Sequence, residues 1–144
     1  MGLELKSDDI VFLDTAPVIY FFEQHPDFFP ALKTLFDHLY EIDAQAITSI
    51  ITYIELTTHP ARLGKDQLVR KYRDYLTNSN NISLFPLNID IADHVVEMRA
   101  KYPFKTPDAI QLGTAVACGA DYIITNDKAW QKFEEVKVLL IRDL

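Results

Sequence analysis

Short apolar runs recur along the chain and predict buried strands. Residues 10–13 (Ile-Val-Phe-Leu) form a continuous apolar run that ends at Asp14. Comparable segments occupy residues 44–48, 82–86, 121–125 and 136–141. Apolar runs of this length are typical of strands that are buried on both faces of a parallel sheet.

Between these runs, apolar residues recur at intervals of three and four, as in amphipathic helices. The predicted helices begin near residues 15, 29, 50, 66, 89, 106 and 128. Thr15 is in position to cap the first of them. Pro60 predicts that the helix from residue 50 stops near Leu56. In the helix from residue 89, the pattern places Ile89, Ala92, Val96 and Met98, or their neighbours, on the core side.

Strands and helices alternate along the whole chain, which is typical of a parallel sheet covered by helices on both faces. The sequence therefore predicts an α/β fold of three layers, α/β/α, around a central, mostly parallel sheet of four to five strands. The chain has 144 residues, the size of one domain, and we expect residues 1–144 to form a single domain.

Four acidic residues lie where predicted strands end or neighbouring helices begin. Asp14 ends the first strand, and Asp127 follows the fourth. Asp108 lies in the first turn of the helix before that strand, and Glu55 lies in the helix after the second. Ser49, Thr52 and Glu55 are spaced by three, so we expect them to share one helical face. Functional groups gather at this edge of an open parallel sheet. Clustered carboxylates repel one another unless cations join them, and an all-oxygen site suits Mg²⁺ or Mn²⁺.

Each of these acids also has a structural explanation when it is taken alone. The helix dipole favours Asp108 in a first turn, and Asp127 suits a turn or a cap. Asp14 suits an N-cap, and Glu55 suits a solvated helix face. The joint pattern, in four separate segments, is what indicates a functional site.

The order and spacing of four segments resemble a PIN-domain ribonuclease, close to the VapC toxins of toxin–antitoxin pairs. The segments are residues 12–15 (Phe-Leu-Asp-Thr), 49–56, 106–109 (Thr-Pro-Asp-Ala) and 123–127 (Ile-Ile-Thr-Asn-Asp). The resemblance covers nearly the whole chain and implies a PIN-like domain. One departure concerns the aromatic residue that follows the last acid in the family. It is usually nearer to that acid, whereas this chain has Ala129-Trp130 after Asp127.

The resemblance also implies roles for individual residues. The metal-binding and catalytic acids would be Asp14, Glu55, Asp108 and Asp127, and the hydroxyls that line the site would be Thr15, Ser49 and Thr125. The implied activity is hydrolysis of RNA phosphodiester bonds with Mg²⁺ or Mn²⁺, which activates water and stabilises the leaving oxygen. The family further implies a homodimer and a cognate antitoxin protein that inhibits the site through a basic side chain.

Two other functions stay open at this point. A non-catalytic PIN-like scaffold that binds a metal or a partner would also fit the acidic charge and the aromatic residues of the early helices. An aspartyl-nucleophile phosphatase would need a second aspartate two residues after Asp14, where this chain has Ala16.

The composition narrows the class of protein. Lys and Arg number 14 and Asp and Glu 21, for a net charge of −7, so nonspecific coating of nucleic acid is not expected. The one cysteine, Cys118, excludes an internal disulfide and a multi-cysteine zinc site. No apolar run approaches the ~20 residues that span a membrane, and the first residues lack a signal-peptide pattern. We therefore expect a cytoplasmic protein.

In such an acidic protein, RNA contact depends on a few local cations. Lys105 and Lys128 are adjacent in sequence to the proposed acids and are the better candidates for phosphate contact. One basic cluster has two interpretations, RNA-backbone contact or a solvated helix face. Its members are Arg62, Lys65, Arg70, Lys71 and Arg73. Arg62 joins Lys105 and Lys128 as the third predicted RNA contact.

Overall fold

A five-stranded sheet forms the centre of the computed structural model, which describes residues 3–80 and 82–144. The strands are β1 (Ile10–Leu13), β2 (Gln45–Ser49), β3 (Ile82–Phe85), β4 (Tyr122–Thr125) and β5 (Lys137–Leu140). The α-helices are α1 (Thr15–Phe22), α2 (Phe29–Glu41), α3 (Ile50–Arg62), α4 (Asp66–Asn78), α5 (Ile89–Lys101) and α6 (Thr106–Ala117). Two short 3-10 helices cover Lys128–Lys132 and Ile141–Asp143. None of the helices in these residues is long and apolar enough to cross a membrane.

All strand pairs of the sheet are parallel, in the order β3-β2-β1-β4-β5. Val11 in the central strand pairs with Ala46 on one side and Tyr122 on the other. The prediction of three layers, α/β/α, is confirmed. The sheet is fully parallel, and it has five strands where four to five were predicted. The chain builds outward from β1 in both directions, so the crevice where strand order reverses lies between β1 and β4.

Apolar side chains of the sheet are buried on both of its faces. Val11 and Leu13 pack on one face with residues of α2 and α4, and Phe12 packs on the other with residues of α5 and α6. All three are fully buried. This double burial explains why β1 has a continuous apolar run, since alternate side chains point to opposite faces of a strand.

Helix α3 continues beyond the end that the sequence predicts. Pro60 lies inside it and is buried, and the helix ends at Arg62. The stop predicted near Leu56 is wrong: the helix accommodates Pro60, which removes its own N–H from the hydrogen-bond pattern. Here it does so in the last turn, where Leu63 N–H donates to the His59 carbonyl and Lys65 N–H donates to that of Pro60.

Helix α5 buries Met98, as predicted, but it buries the neighbouring residues Ile91 and Val95 in place of Ile89 and Val96. Ile91, Val95 and Met98 are buried, whereas Ile89 and Val96 are 74% and 67% exposed. The prediction for Ile89 and Val96 is wrong because α5 carries two apolar stripes at helical spacing. The close approach of α5 to α6 selects between them.

Candidate active site

Asp14 lies at the carboxyl end of β1, where the chain passes into α1. Its backbone N–H donates to the Ile124 carbonyl of β4 at 3.0 Å. The Thr125 hydroxyl donates to Oδ2 at 2.7 Å, and the Thr15 N–H donates to Oδ1 at 2.7 Å. Asp14 is therefore the cap of α1, and the prediction that Thr15 caps it is wrong. Two neighbouring strands hold this carboxylate at the reversal point of the sheet.

A buried network of hydroxyls and one carboxamide surrounds Asp14. Gln111 Nε2 lies 3.2 Å from Asp14 Oδ1 and 3.1 Å from both Thr15 Oγ1 and Thr52 Oγ1. Gln111 Oε1 accepts a hydrogen bond from Ser49 Oγ, and the Thr15 and Thr52 hydroxyls are 3.1 Å apart. Ser49, Thr52 and Gln111 are at most 2% exposed. The network thus satisfies buried polar groups and ties four segments of the chain together.

Gln111 is the functional candidate that the sequence reasoning missed. It lies one turn after Asp108 on α6, close to the same side of that helix. A glutamine carries no charge and has no metal-ligand spacing, so it gives no chemical signal of its own. The available signal was structural, because Gln111 is a polar residue on the buried side of α6, between Ala109 and Leu112.

Asp108 lies in the first turn of α6 and is partly buried. Burial and the charge of Asp127 raise its pKa, while Trp130 and the positive charge of Lys105 lower it. The Trp130 indole N–H is near enough to act on Asp108, but it does not reach hydrogen-bond geometry. Nε1 is buried without a partner among the described residues. Asp108 therefore has an acidic neighbour, Asp127, a basic neighbour, Lys105, and the buried indole N–H of Trp130.

Asp127 follows β4 and is exposed. Its Oδ1 accepts a hydrogen bond from Ala129 N–H at 2.9 Å and so caps the 3-10 helix Lys128–Lys132. Its own N–H donates to Thr125 Oγ1 at 3.1 Å, the hydroxyl that also binds Asp14. The local structure thus gives Asp127 a capping role, and the Thr125 hydroxyl links Asp127 to Asp14.

Glu55 lies in the second turn of α3 and is exposed, while Ser49 and Thr52 are fully buried. The expectation that these three residues share one helical face is wrong. Each step of three residues falls about 60° short of a full turn, so Glu55 is rotated by about 120° from Ser49. Its charge nevertheless acts on Asp14.

The carboxylates form one electrostatically coupled group. The pKa of Asp14 is raised from 3.8 to about 6, first by burial and further by the charges of Asp108 and Glu55. The hydrogen bonds from Thr125 and Thr15 oppose this increase. Because like charges raise each other's pKa, these acids gain from a cation.

The donor chemistry of this edge fits a hard divalent cation. Its side chains offer carboxylate and hydroxyl oxygens, which Mg²⁺ and Mn²⁺ prefer over the softer metals. Within residues 3–80 and 82–144, no group of three or more His, Cys, Asp or Glu side chains has the geometry of a preformed metal site. The acids therefore offer suitable donors without a closed cage.

The three predicted RNA contacts lie in different surroundings. Lys105 precedes α6 and acts on Asp108 by its charge. Lys128 begins the 3-10 helix directly after Asp127, and Arg62 is the last residue of α3. All three cations are exposed.

A sequence profile of the PIN domain matches residues 11–136. The chain belongs to the PIN-domain family. The resemblance found in the sequence is thereby confirmed, and the matched span of this PIN domain includes all four acids.

Several solved structures resemble this PIN domain over nearly its whole length. The VapBC2 complex of Rickettsia felis, bound to a promoter DNA fragment, is similar with a TM-score of 0.73 at 16% identity, over 91% of this chain and 98% of that one. A toxin–antitoxin complex of Klebsiella pneumoniae gives 0.67 at 23%, over 93% and 99%. Mycobacterium tuberculosis VapC20, a toxin that cleaves the sarcin–ricin loop, gives 0.63 at 15%, over 88% and 98%. These likenesses show a shared fold. No curated protein matches the sequence significantly.

Proposed function

We propose that this PIN domain is a divalent-metal-dependent endoribonuclease and the toxin of a toxin–antitoxin pair. The observation that carries the proposal is Asp14, a partly buried carboxylate at the reversal point of the sheet whose pKa is raised to about 6 beside Asp108 and Glu55. An isolated structural cap needs no second or third acid nearby. The PIN-domain family and the toxin–antitoxin systems of its structural neighbours support the same function.

Asp14 and Asp108 would hold Mg²⁺ or Mn²⁺, with Glu55 and Asp127 binding directly or through water. Such an ion supplies an activated water for in-line attack on a phosphodiester and stabilises the leaving oxygen. The chain itself orients the Asp14 carboxylate through Thr125, Thr15 and Gln111. These fixed donors limit rotation of the ligand before the substrate arrives.

The test is cleavage of RNA by the purified protein with Mg²⁺ or Mn²⁺, with EDTA as the control. Asp14→Asn and Asp108→Asn should abolish cleavage while the far-UV circular dichroism is unchanged. An RNase contaminant would give equal cleavage in all three preparations. EDTA identifies a contaminant that needs no metal, so undiminished cleavage by both variants that EDTA abolishes would contradict the proposed site.

A non-catalytic scaffold is the second candidate, and one observation favours it. The described acids do not form a preformed metal cage. Titration with Mn²⁺ separates the two functions, because a nuclease must bind the ion and then cut. Binding of Mn²⁺ without cleavage of tRNA, ribosomal RNA or mRNA would favour the scaffold.

The proposed partners are an antitoxin protein and a second copy of this chain. Structural neighbours in complexes with antitoxins support the first. Co-expression with the product of the adjacent reading frame should give a complex that does not cleave RNA. The mass of the free protein in solution, measured by sedimentation, tests the homodimer. A cytoplasmic location stays a prediction.

A further inference from the structure

A groove leads away from the acids along the outer side of α3 and the start of α4. Its first part is a cavity of about 240 Å³ that is lined by Glu55, His59, Lys65, Leu68 and Tyr72, among others. Lys65 and Leu68 also line the next cavity, so the two adjoin. The groove thus begins at one of the proposed metal-binding acids.

The second part of this groove is basic. Its walls carry Lys65, Arg70 and Lys71, together with Gly64, Asp66 and Gln67. All three cations are exposed. In the part of the chain that the structure describes, the one ion pair joins Lys33 and Asp37, so no carboxylate neutralises these cations through a direct contact.

This charge stands out against the rest of the protein. Five of the 14 Lys and Arg residues lie between positions 62 and 73, in a chain whose net charge is −7. Asp66 and Asp74 lie four residues before and after Arg70, at positions that could pair with it, but neither forms an ion pair with it. The cations of this segment, which form no ion pair among the described residues, lie beside the cluster of acids. This arrangement fits a polyanion that extends from the basic part of the groove to the acidic site.

We propose that the groove from Glu55 to Lys71 binds the backbone of single-stranded RNA next to the scissile phosphate. Lys65, Arg70 and Lys71 contact phosphates, and the apolar wall at Leu68 lies beside the sugars and bases. This inference rests on the proposed nuclease function, because the groove would set the path of the RNA substrate across the proposed active site. An acidic protein partner would fit the cations but has no need of continuity with Glu55.

The test compares two triple variants that carry the same formal charge. The groove variant is K65Q/R70Q/K71Q. The control is R99Q/K101Q/K137Q, at the end of α5 and the start of β5. Because α5 follows a strand and runs back across a parallel sheet, these control positions lie at the amino edge, away from the site. Binding of a labelled short oligouridylate is measured in an Asp108→Asn background with Mg²⁺, so that the oligonucleotide is not cleaved during the measurement.

The groove variant should bind the oligonucleotide on the order of tenfold to a hundredfold more weakly than the control at about 0.1 M salt. Its plot of log affinity against log salt should flatten by about 2, since each phosphate contact on a single strand contributes about 0.7. With Asp108 restored, the KM for RNA cleavage should rise while kcat stays, because uniform binding is lost. Circular dichroism checks that both variants fold.

Equal affinity of the two triple variants would overturn the proposal and leave the cations to an acidic protein or to solvent. Failure of the parent protein to bind the oligonucleotide would overturn it as well. Absence of RNA cleavage, by contrast, would count against the nuclease while the binding comparison still tests the groove. The two failures are therefore distinguishable.

Discussion

Gln111 on α6 donates a hydrogen bond from Nε2 to Oδ1 of Asp14 at 3.2 Å, and both side chains lie in one network. Asp14 Oδ1 also accepts from the Thr15 N–H, and Oδ2 accepts from Thr125 Oγ1. The carboxylate is thus held by three donors from three segments of the chain. Because a ligand's outer partners fix its orientation, Gln111 should matter for the metal without touching it.

Replacing Gln111 with methionine should weaken Mn²⁺ binding about tenfold to a hundredfold. Methionine is similar in size, but it cannot donate to Asp14 and leaves the Ser49 and Thr52 hydroxyls without this partner. Isothermal titration with Mn²⁺ measures the effect. Thr114→Val is the matched control, since Thr114 is a buried polar residue on the same helix whose hydroxyl donates within that helix, to the Ile110 carbonyl. An equal loss of Mn²⁺ affinity in both variants would assign Gln111 a role in stability alone.

Asp14 should destabilise the metal-free fold at neutral pH. Its pKa is about 6 in the folded protein and 3.8 as the ordinary value. Between these values the folded state keeps a proton that the unfolded state has lost, so stability falls as pH rises from about 4 to 6. The full effect at pH 7 is about 3 kcal/mol. In EDTA, Asp14→Asn should therefore raise the free energy of unfolding at pH 7, and the gain should disappear near pH 4.

Urea unfolding of both proteins across this pH range measures the difference. Asp93→Asn, at an exposed position of α5, is the control and should change stability by less than about 0.5 kcal/mol. A gain at pH 7 that persists unchanged at pH 4 would show that the charge of Asp14 is not its cause.

Adding Mn²⁺ should make the parent protein more stable than Asp14→Asn, which reverses their order of stability in EDTA. A ligand that binds only the folded state at a thousand times its Kd stabilises it by about 4.1 kcal/mol, which exceeds the advantage of about 3 kcal/mol that Asp14→Asn has in EDTA. The parent protein should gain this stability, and Asp14→Asn should gain little because the ion loses a charged ligand. The melting temperature with and without Mn²⁺, read at pH 7, tests this. Equal shifts in both proteins would place the ion elsewhere.

The order of elements could be predicted from the sequence because apolar runs and helical spacing report burial directly. The run at Ile10–Leu13 has one interpretation, a strand buried on both faces, and it is confirmed. Helix α5 was different, since its two apolar stripes fit a helix equally well. The contact between Val95 and Gly113, which selects one stripe, joins residues 18 positions apart in the chain, and no local pattern contains it.

The candidate site divides in the same way. Asp14 and Asp108 could be located from their places at the end of a strand and the start of a helix. Gln111 could not, because its importance comes from the distances to Asp14, Thr15 and Thr52 that only the folded chain creates.

Gly113 should resist substitution by alanine. A Cβ there would lie 2.8 Å from Val95 Cγ2 and 3.1 Å from the Val95 backbone nitrogen. Overpacking of this kind costs about 1–3 kcal/mol, which outweighs the gain of up to about 1 kcal/mol in helix propensity. Chemical denaturation of Gly113→Ala should show a net loss of stability. In a double-mutant cycle, Val95→Ala should recover part of that loss by removing Cγ2, and strictly additive effects would contradict the contact.

Trp130→Phe should raise the pKa of Asp108. The indole N–H lowers that pKa, and phenylalanine keeps an aromatic ring but has no donor. Since Nε1 has no hydrogen-bond partner among the described residues, the variant removes one buried unpaired group. Its cost in stability should therefore be smaller than that of an ordinary cavity in the core. The pH titration of the Asp108 carboxyl ¹³C signal in EDTA measures the effect. An unchanged titration would mean that the indole N–H does not act on Asp108, and would leave Trp130 a packing residue alone.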